Sequence, residues 1–429
     1  MFNMKKVLMI AYEFPPIGGV GIIRTLKFSK YLSKFGWSPH VLTVKNRDRI
    51  DTSPGYDSIP ENVQAYRSYN ILNNLSLVEA GFRRLGIISK IVIPDAYIGW
   101  IPMAVQKGKK IIEKENIDVI YVTCSPFSSA LIGAKLKALT GLPLVIDFRD
   151  SWTIDPHYPD YLFDFLEILD EKWEKYVFSS ADFILTATEG IKDGYLEKYP
   201  FIESKIVCVT NGFDTTDIPA YVKPFDKFTV TYTGFFYGVQ SPEYFFEALE
   251  IILKNNLIPE DEIQFLWAGR DAPFVQNLMK HYHIENICNY IGLVSKKEAD
   301  ELLYRSQMLL FVIGYSDKIS LKSTLTGKIF PYLASGKPIL TLVPDGPAKD
   351  MIYKYSDNSY IIHSENSTDY INQIIDAICN EFEIWKNKKN IINNSEKNTT
   401  FRSLYNYETL TKNVANIFNA ISSKKDEKI

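Results

Sequence analysis

Several short stretches gather groups suited to binding or neutralising an anion. The stretch YEFPPIGGVGIIRTLKF holds Gly18, Gly19 and Gly21 between an apolar run and a helical one. Glycine lets the backbone approach a ligand closely, and a helix start offers free N–H donors to an anion. A plain tight turn is the alternative, because the run is not the G-x-G-x-x-G dinucleotide fingerprint. PLVIDFRDSW bunches Asp147, Arg149 and Asp150 at the end of another apolar run, as site residues or as an Arg–Asp structural pair. His157 follows in a loop, as a site group or a solvated surface side chain. FTVTYTGFFYG puts Gly234 and Gly238 after a strand, and WAGRD puts Arg270 just past one, where it meets a phosphate or lies on the surface. In SLKSTLTGKIFPYLASGKPIL, Ser323, Thr324, Thr326 and Gly327 precede Lys328 at an expected helix start. Hydroxyls, free amides and an ammonium at a positive helix end form a diphosphate cradle.

The elements that must position these groups are legible as alternating patterns. Short apolar runs at 7–12, 40–44, 118–123, 143–148, 183–188 and 205–210 suit strands buried on both faces. Helical stretches lie between them, notably at 24–35 and 127–139. Strand then helix, repeated, implies a parallel sheet with right-handed crossovers. The pattern restarts with runs at 228–234, 263–269, 289–294, 308–314 and 338–343, separated by helical stretches at 242–254, 297–305 and 328–334. The expected fold is therefore α/β, with two Rossmann-like doubly wound domains facing a central cleft. Sheets of this type bind ligands just beyond their strand ends. The expected boundaries are 1–212, 213–400, and 401–429 for a last helix (about 405–421) and a frayed tail. The join falls in NGFDTTDIPAYVKPF, rich in turn formers, with Asn211–Gly212 as the expected hinge.

Composition bounds the function class. The 429 residues carry 48 Lys+Arg against 51 Asp+Glu, a net charge of -3, which argues against a globally basic nucleic-acid binder. Cys124, Cys208, Cys288 and Cys379 are widely spaced with no C-x-x-C, so zinc and dithiol sites lack support and reduced thiols are expected. No apolar run reaches the roughly 20 residues of a membrane span. A cytoplasmic protein is expected. Residues 79–100 mix Arg83, Arg84 and Lys90 with Phe82, Leu85, Ile87, Ile88 and Ile91, which suits either a contact with the inner face of the plasma membrane or a helix packed within the first domain.

Eight pieces in register, PPIGGVGIIRTLKF, PDAYIGW, DVIYVTCSP, DFRDSW, NGFD, YTGFFYG, GLVSKKE and TGKIFPYLASGKPIL, resemble the retaining glycosyltransferases of family 4, which have the two-domain GT-B fold. The resemblance spans roughly residues 4 to 365 and is greatest to the sugar transferases of bacterial surface-polysaccharide gene clusters. It implies a nucleotide-diphosphate sugar as co-substrate, held mainly by the second domain, and a glycan or undecaprenyl-linked acceptor held by the first. By position, Gly18 and Gly19 would face the diphosphate or the acceptor. Asp150 would position or deprotonate the acceptor hydroxyl with Arg149 as orienter. Asp147 and His157 would lie on the acceptor side. Gly234 and Arg270 would lie on the donor side. Gly292 to Val294 would meet the nucleobase edge, and Thr326, Gly327 and Lys328, with Ser323 and Thr324, would hold the diphosphate. Two departures stand out. Ser323 and Pro331 occupy the places of two family glutamates, and the loop Phe235 to Gln240 lacks the cation common in relatives.

A retaining transfer passes through an oxocarbenium-like centre. With no evident nucleophile, a front-face route is expected, in which the leaving phosphate assists deprotonation of the acceptor and Lys328 neutralises the developing charge. No D-x-D occurs, so the expected enzyme is a metal-independent hexosyltransferase without a resident cofactor. The alternatives are a binding or scaffolding protein on a degenerate frame, and a nucleotide-sugar epimerase.

Overall fold

The computed structural model describes residues 4–17, 21–45, 58–74, 88–155, 158, 161–237, 240–314, 325–363, 366–388 and 395–426. The chain divides into two units, Met1–Asn211 with Tyr407–Ile429, and Gly212–Asn406.

The first unit is built on a seven-stranded parallel sheet. Its strands are β1 (Lys5–Ile10), β2 (Trp37–Val44), β3 (Gln64–Ser68), β4 (Val119–Cys124), β5 (Leu144–Phe148), β6 (Phe183–Thr186) and β7 (Ile206–Cys208). They lie in the order β3-β2-β1-β4-β5-β6-β7. Every residue of β4 and β5 is buried, as strands covered by helices on both faces must be. The order reverses between β1 and β4, which places the ligand-binding crevice of such a sheet at the carboxyl ends of these two strands. Helices Ile22–Leu32 and Ser128–Thr140 follow β1 and β4, close to the expected spans.

The second unit holds a six-stranded parallel sheet of β8 (Phe228–Thr233), β9 (Ile263–Ala268), β10 (Cys288–Gly292), β11 (Met308–Val312), β12 (Ile339–Leu342) and β13 (Tyr360–Ile361). The order is β10-β9-β8-β11-β12-β13, so its reversal lies between β8 and β11. Helix Ile329–Ser335 is only seven residues long, with Lys328 at its N-cap. It is tied from below by helix Glu396–Tyr405, whose Asn398 and Arg402 side chains donate to the carbonyls of Leu333 and Ala334.

The chain does not break at 401 as expected from sequence. The helix Glu396–Tyr405 stays with the second unit, and the following helix Tyr407–Asp426 returns to the first. Its stripe Leu410, Val414, Phe418 and Ile421 is buried there. Phe418 meets Trp37 and Tyr121 edge-on, with centroids 5.3 and 5.8 Å apart. This apolar stripe also holds residues 422–426 helical, where a frayed end was expected.

The basic and apolar segment 79–100 is described only from residue 88. Ile93 and Trp100 are buried and Trp100 Nε1 donates to Ser68 Oγ at 2.8 Å, so this part packs within the unit. Arg83 and Arg84 lie outside the described residues. Among the described residues no helix is long and apolar enough to cross a membrane.

Candidate functional site

At the carboxyl edge of the first sheet, one guanidinium ties three chain segments together. Arg149 follows β5 directly. Its Nε donates to the Cys124 carbonyl at 3.2 Å, and its two terminal nitrogens donate to the carbonyls of Gly21 and Ser125. It therefore links the end of β4 to the start of helix Ile22–Leu32 at the order reversal. Glu13, in the loop after β1, reaches the same place. A Cβ at Gly21 would lie 2.6 Å from Glu13 Oε2 and 2.8 Å from Arg149 Nη1. Asp150 is exposed beside this knot and accepts a hydrogen bond from Ser125 Oγ at 3.2 Å. The unit thus offers a solvent-facing carboxylate on a braced support, which suits a group that orients an acceptor hydroxyl.

Asp147 departs from its expected acceptor-side place. It is fully buried in β5, and its oxygens accept from Arg24 Nε at 2.6 Å and Nη2 at 2.9 Å, with Tyr121 Oη adding a further donor. Arg24 completes its shell with the carbonyls of Thr210 and Val209, each at 2.7 Å. Burial alone would lower the pKa of this guanidinium, but the Asp147 carboxylate outweighs it and holds the pKa above its ordinary value. The pair is a buried structural bridge between helix and sheet. Its acid is the expected Asp147, but its base is Arg24, not the neighbouring Arg149.

In the second unit the ends of β8, β9 and β10 form a continuous lip. Gly234 ends β8 with φ +141°, a backbone conformation suited to glycine. Its amide donates to the Ala268 carbonyl at 2.8 Å, and its carbonyl accepts from Trp267 Nε1 at 3.1 Å. Gly269 follows β9 so closely that a Cβ there would lie 1.7 Å from the Gly234 carbonyl oxygen. The Gly269 amide donates in turn to the Gly292 carbonyl at 2.9 Å, at the end of β10. Arg270 is exposed, with its guanidinium 5.7 Å from the Phe235 ring centroid. A cation from the neighbouring strand thus reaches the loop after β8, which has none of its own.

Lys328 faces this lip from across the order reversal. Its Nζ donates to Tyr232 Oη at 2.7 Å and lies 4.5 Å from that ring's centroid. A Cβ on Gly234 would lie 2.7 Å from this nitrogen, so the glycine leaves room for the ammonium. Helix Ile329–Ser335 is registered on β8 by a second bond, from the Thr233 amide to Tyr332 Oη at 3.0 Å. Among the described residues no carboxylate pairs with Lys328. Burial lowers its pKa to about 8. Thr326 Oγ1, two residues before it, is buried without a hydrogen-bond partner. A desolvated ammonium without a counter-ion, beside an unsatisfied hydroxyl, is a preorganised site for an anion.

The structure therefore gathers Lys328, Gly234, Arg270 and Gly292 on one edge, with Thr326 and the open, exposed Gly327 leading into it. Val294 follows two residues past β10 and is half-buried. Arg149 and Asp150 lie on the edge of the other sheet. Gly18, Gly19, His157, Ser323 and Thr324 lie outside the described residues. Tyr232 and Glu13 were not singled out from sequence, although each stands at or just past a strand's carboxyl end.

Residues 17–217 match the model of Glycosyltransferase Family 4. The N-terminal unit is a family 4 glycosyltransferase domain. Solved structures share the fold over the full chain at low identity. Sucrose-phosphate synthase from Thermosynechococcus elongatus aligns with a TM-score of 0.66 and 13% identity, covering 98% of this chain and 100% of its own. A glycosyltransferase from Rickettsia africae gives 0.62 and 15%, covering 98% and 99%. A putative UDP-N-acetylglucosamine 2-epimerase from Listeria monocytogenes gives 0.55 and 14%, covering 99% and 97%. No curated protein sequence matches the chain. The family 4 domain and the second sheet together make the GT-B fold.

Proposed function

We propose that this glycosyltransferase moves a sugar, with retention, from a nucleotide-diphosphate donor on the Gly212–Asn406 unit to a hydroxyl acceptor on the family 4 domain. The observation that carries this reading is Lys328. An ammonium that has no carboxylate partner among the described residues, held against Tyr232 and Gly234, fits the diphosphate that departs from the sugar. Arg270 adds a second positive charge at the same edge and takes the part of the cation absent from the loop after β8. The helix that follows Lys328 is only seven residues long, about two turns, and carries Pro331 in its first turn, so its dipole contributes less than the ammonium.

In the step itself, the bond from the anomeric carbon to the diphosphate oxygen breaks. The acceptor oxygen bonds to the same face of that carbon, and the acceptor proton passes to the leaving phosphate. Lys328 and Arg270 stabilise the charge that grows on the diphosphate, which is where fixed positive groups lower a barrier most effectively. Asp150 orients the acceptor hydroxyl, and Arg149 holds the carbonyl of Ser125, whose hydroxyl donates to Asp150. The donor and acceptor charges are handled by these side chains, so the reading requires neither a divalent metal nor a resident cofactor. A hexose donor and a glycan or undecaprenyl-linked acceptor in bacterial surface-polysaccharide synthesis fit this chemistry, with the enzyme working at the cytoplasmic face of the membrane.

A panel of nucleotide-sugars tests the reading. The true donor raises the melting temperature, because a ligand selective for the native state stabilises it. Nucleoside diphosphate is then released only when an acceptor is present, and Lys328→Ala lowers turnover by about 100-fold or more, as loss of an oxyanion donor does. Unchanged turnover in that variant removes the assigned role. Conversion of the donor to its epimer without any acceptor identifies an epimerase instead, and donor binding with no turnover identifies a scaffold.

A further inference from the structure

Helix Asp164–Ser180 of the first unit carries two apolar stripes. Leu166, Asp170, Glu174, Val177 and Phe178 face the interior, where Glu174 accepts from Thr153 and Tyr199 and Asp170 Oδ2 accepts from Trp152, Tyr158 and Tyr161. The second stripe faces outward. Phe165, Ile168, Leu169 and Tyr176 are 61%, 53%, 37% and 44% exposed, and Leu162 and Phe163 just before the helix are 59% and 50% exposed. The positions i, i+3, i+4 and i+11 fall on one side of a helix with 3.6 residues per turn. Lys172 completes the row at i+7. Scattered exposed apolar residues are ordinary, but four on one helical face, with two more just before the helix, mark an interaction surface.

The charges around this stripe indicate its occupant. Glu171 already pairs with Lys198 at 2.7 Å. Asp164, Glu167, Lys172 and Lys175 are exposed and have no ion-pair partner among the described residues. The acids lie at the helix start and the bases one to two turns later. A second copy of the same helix, laid antiparallel with the two-fold axis between Leu169 and Asp170, sets Asp164 opposite the second copy's Lys175 on the same flank of the stripe. Symmetry repeats this pair, so two ion pairs flank the apolar contact. Phe165 of each copy then falls between Lys172 and Tyr176 of the other, where a cation can sit over the ring. The half-exposed side chains offer roughly 600 Å² per copy, which brings the pair to the lower limit of a specific interface.

We infer that this glycosyltransferase self-associates through antiparallel pairing of helix Asp164–Ser180, the stripe of one copy covering that of the other. The contact is isologous, as a two-fold interface requires. It is independent of the sugar chemistry.

Sedimentation velocity of the full chain tests the inference. The wild type shows a monomer–dimer equilibrium with a dissociation constant in the micromolar range expected of a small interface. Ile168→Asp is monomeric at every concentration with unchanged circular dichroism, since the position is exposed. Lys175→Glu raises the dissociation constant about tenfold, because each of two symmetric pairs becomes a repulsion. Adding Asp164→Lys to that variant restores the constant to within about threefold, which only pairing between copies of this helix explains. A monomeric wild type at about 100 μM, where a micromolar contact is saturated, overturns the inference. So does failure of the double variant to recover. Flotation of a monomeric wild type, but not of Ile168→Asp, with phosphatidylcholine–phosphatidylglycerol vesicles would assign the stripe to a bilayer and likewise overturn it.

Discussion

Lys328 ties donor binding to pH in a calculable way. Its ordinary pKa is 10.5 and burial lowers it to about 8 in the folded chain. Between these values the unfolded chain holds more protons than the folded one, so stability rises with pH across this window as the desolvated charge is removed. Below pH 8 the charged, desolvated ammonium opposes folding. Its cost is of order 3 kcal/mol before solvent screening reduces it, and a diphosphate placed against it recovers that energy. Binding therefore favours the protonated amine and raises its pKa. The free protein is about nine-tenths charged at pH 7 and about one-tenth charged at pH 9, so donor affinity falls about tenfold between them, or about 1.4 kcal/mol. Calorimetry with the donor nucleotide-sugar, in buffers of different ionisation enthalpy, reads both effects. Proton uptake is about one half per site at pH 8, where half the amines are neutral. Lys328→Met binds more weakly at pH 7 and loses the proton uptake. An affinity flat from pH 7 to 9 in the wild type, or uptake that persists in the methionine variant, refutes the placement of the diphosphate on this amine.

Asp147→Asn leaves Arg24 charged and buried without its counter-ion, and lowers the stability of the first unit by about 3–5 kcal/mol in urea denaturation; a wild-type midpoint would show the pair to be dispensable. Asp150→Asn lowers turnover at saturating donor while donor affinity by calorimetry stays within about twofold, and an equal loss of both would mark it as structural. Gly269→Ala forces a Cβ against the Gly234 carbonyl, so the lip must open; donor affinity falls at least about tenfold, and an unaffected variant would show that this lip does not hold the donor.

The sheets were legible because their central strands are buried on both faces and read as continuous apolar runs. Two strands were not. β3 reads QAYRS, with Gln64 and Ala65 exposed, so an edge strand of this kind carries no apolar run. β13 is only two residues long, too short for any periodic signal. Gly234 and Arg270 drew attention because they stand just past a strand's carboxyl end, and Lys328 because it follows hydroxyls and a glycine at a helix start. What the sequence leaves hidden is pairing. Arg24 and Asp147 are 123 positions apart, and Arg149 beside Asp147 is the more obvious partner until the fold turns it toward the carbonyls of Gly21, Cys124 and Ser125. One local clue existed: Arg24 lies one helical turn before the buried Phe28, with its guanidinium 4.8 Å from that ring, so a charge on the core face needed a buried acid. That Lys328 meets no carboxylate among the described residues is likewise a property of the folded chain. Lys337, nine residues later, is also pushed down to about 8 by burial, yet it lies just before β12 at the opposite edge of the sheet.

A crystal structure of the enzyme with its nucleoside diphosphate bears on the diphosphate site without any kinetic inference. A phosphate oxygen should lie within about 3 Å of Lys328 Nζ, with Thr326 Oγ1 acquiring a partner and Arg270 nearby. A diphosphate bound elsewhere, with Lys328 still donating only to Tyr232 Oη, would contradict the proposed chemistry.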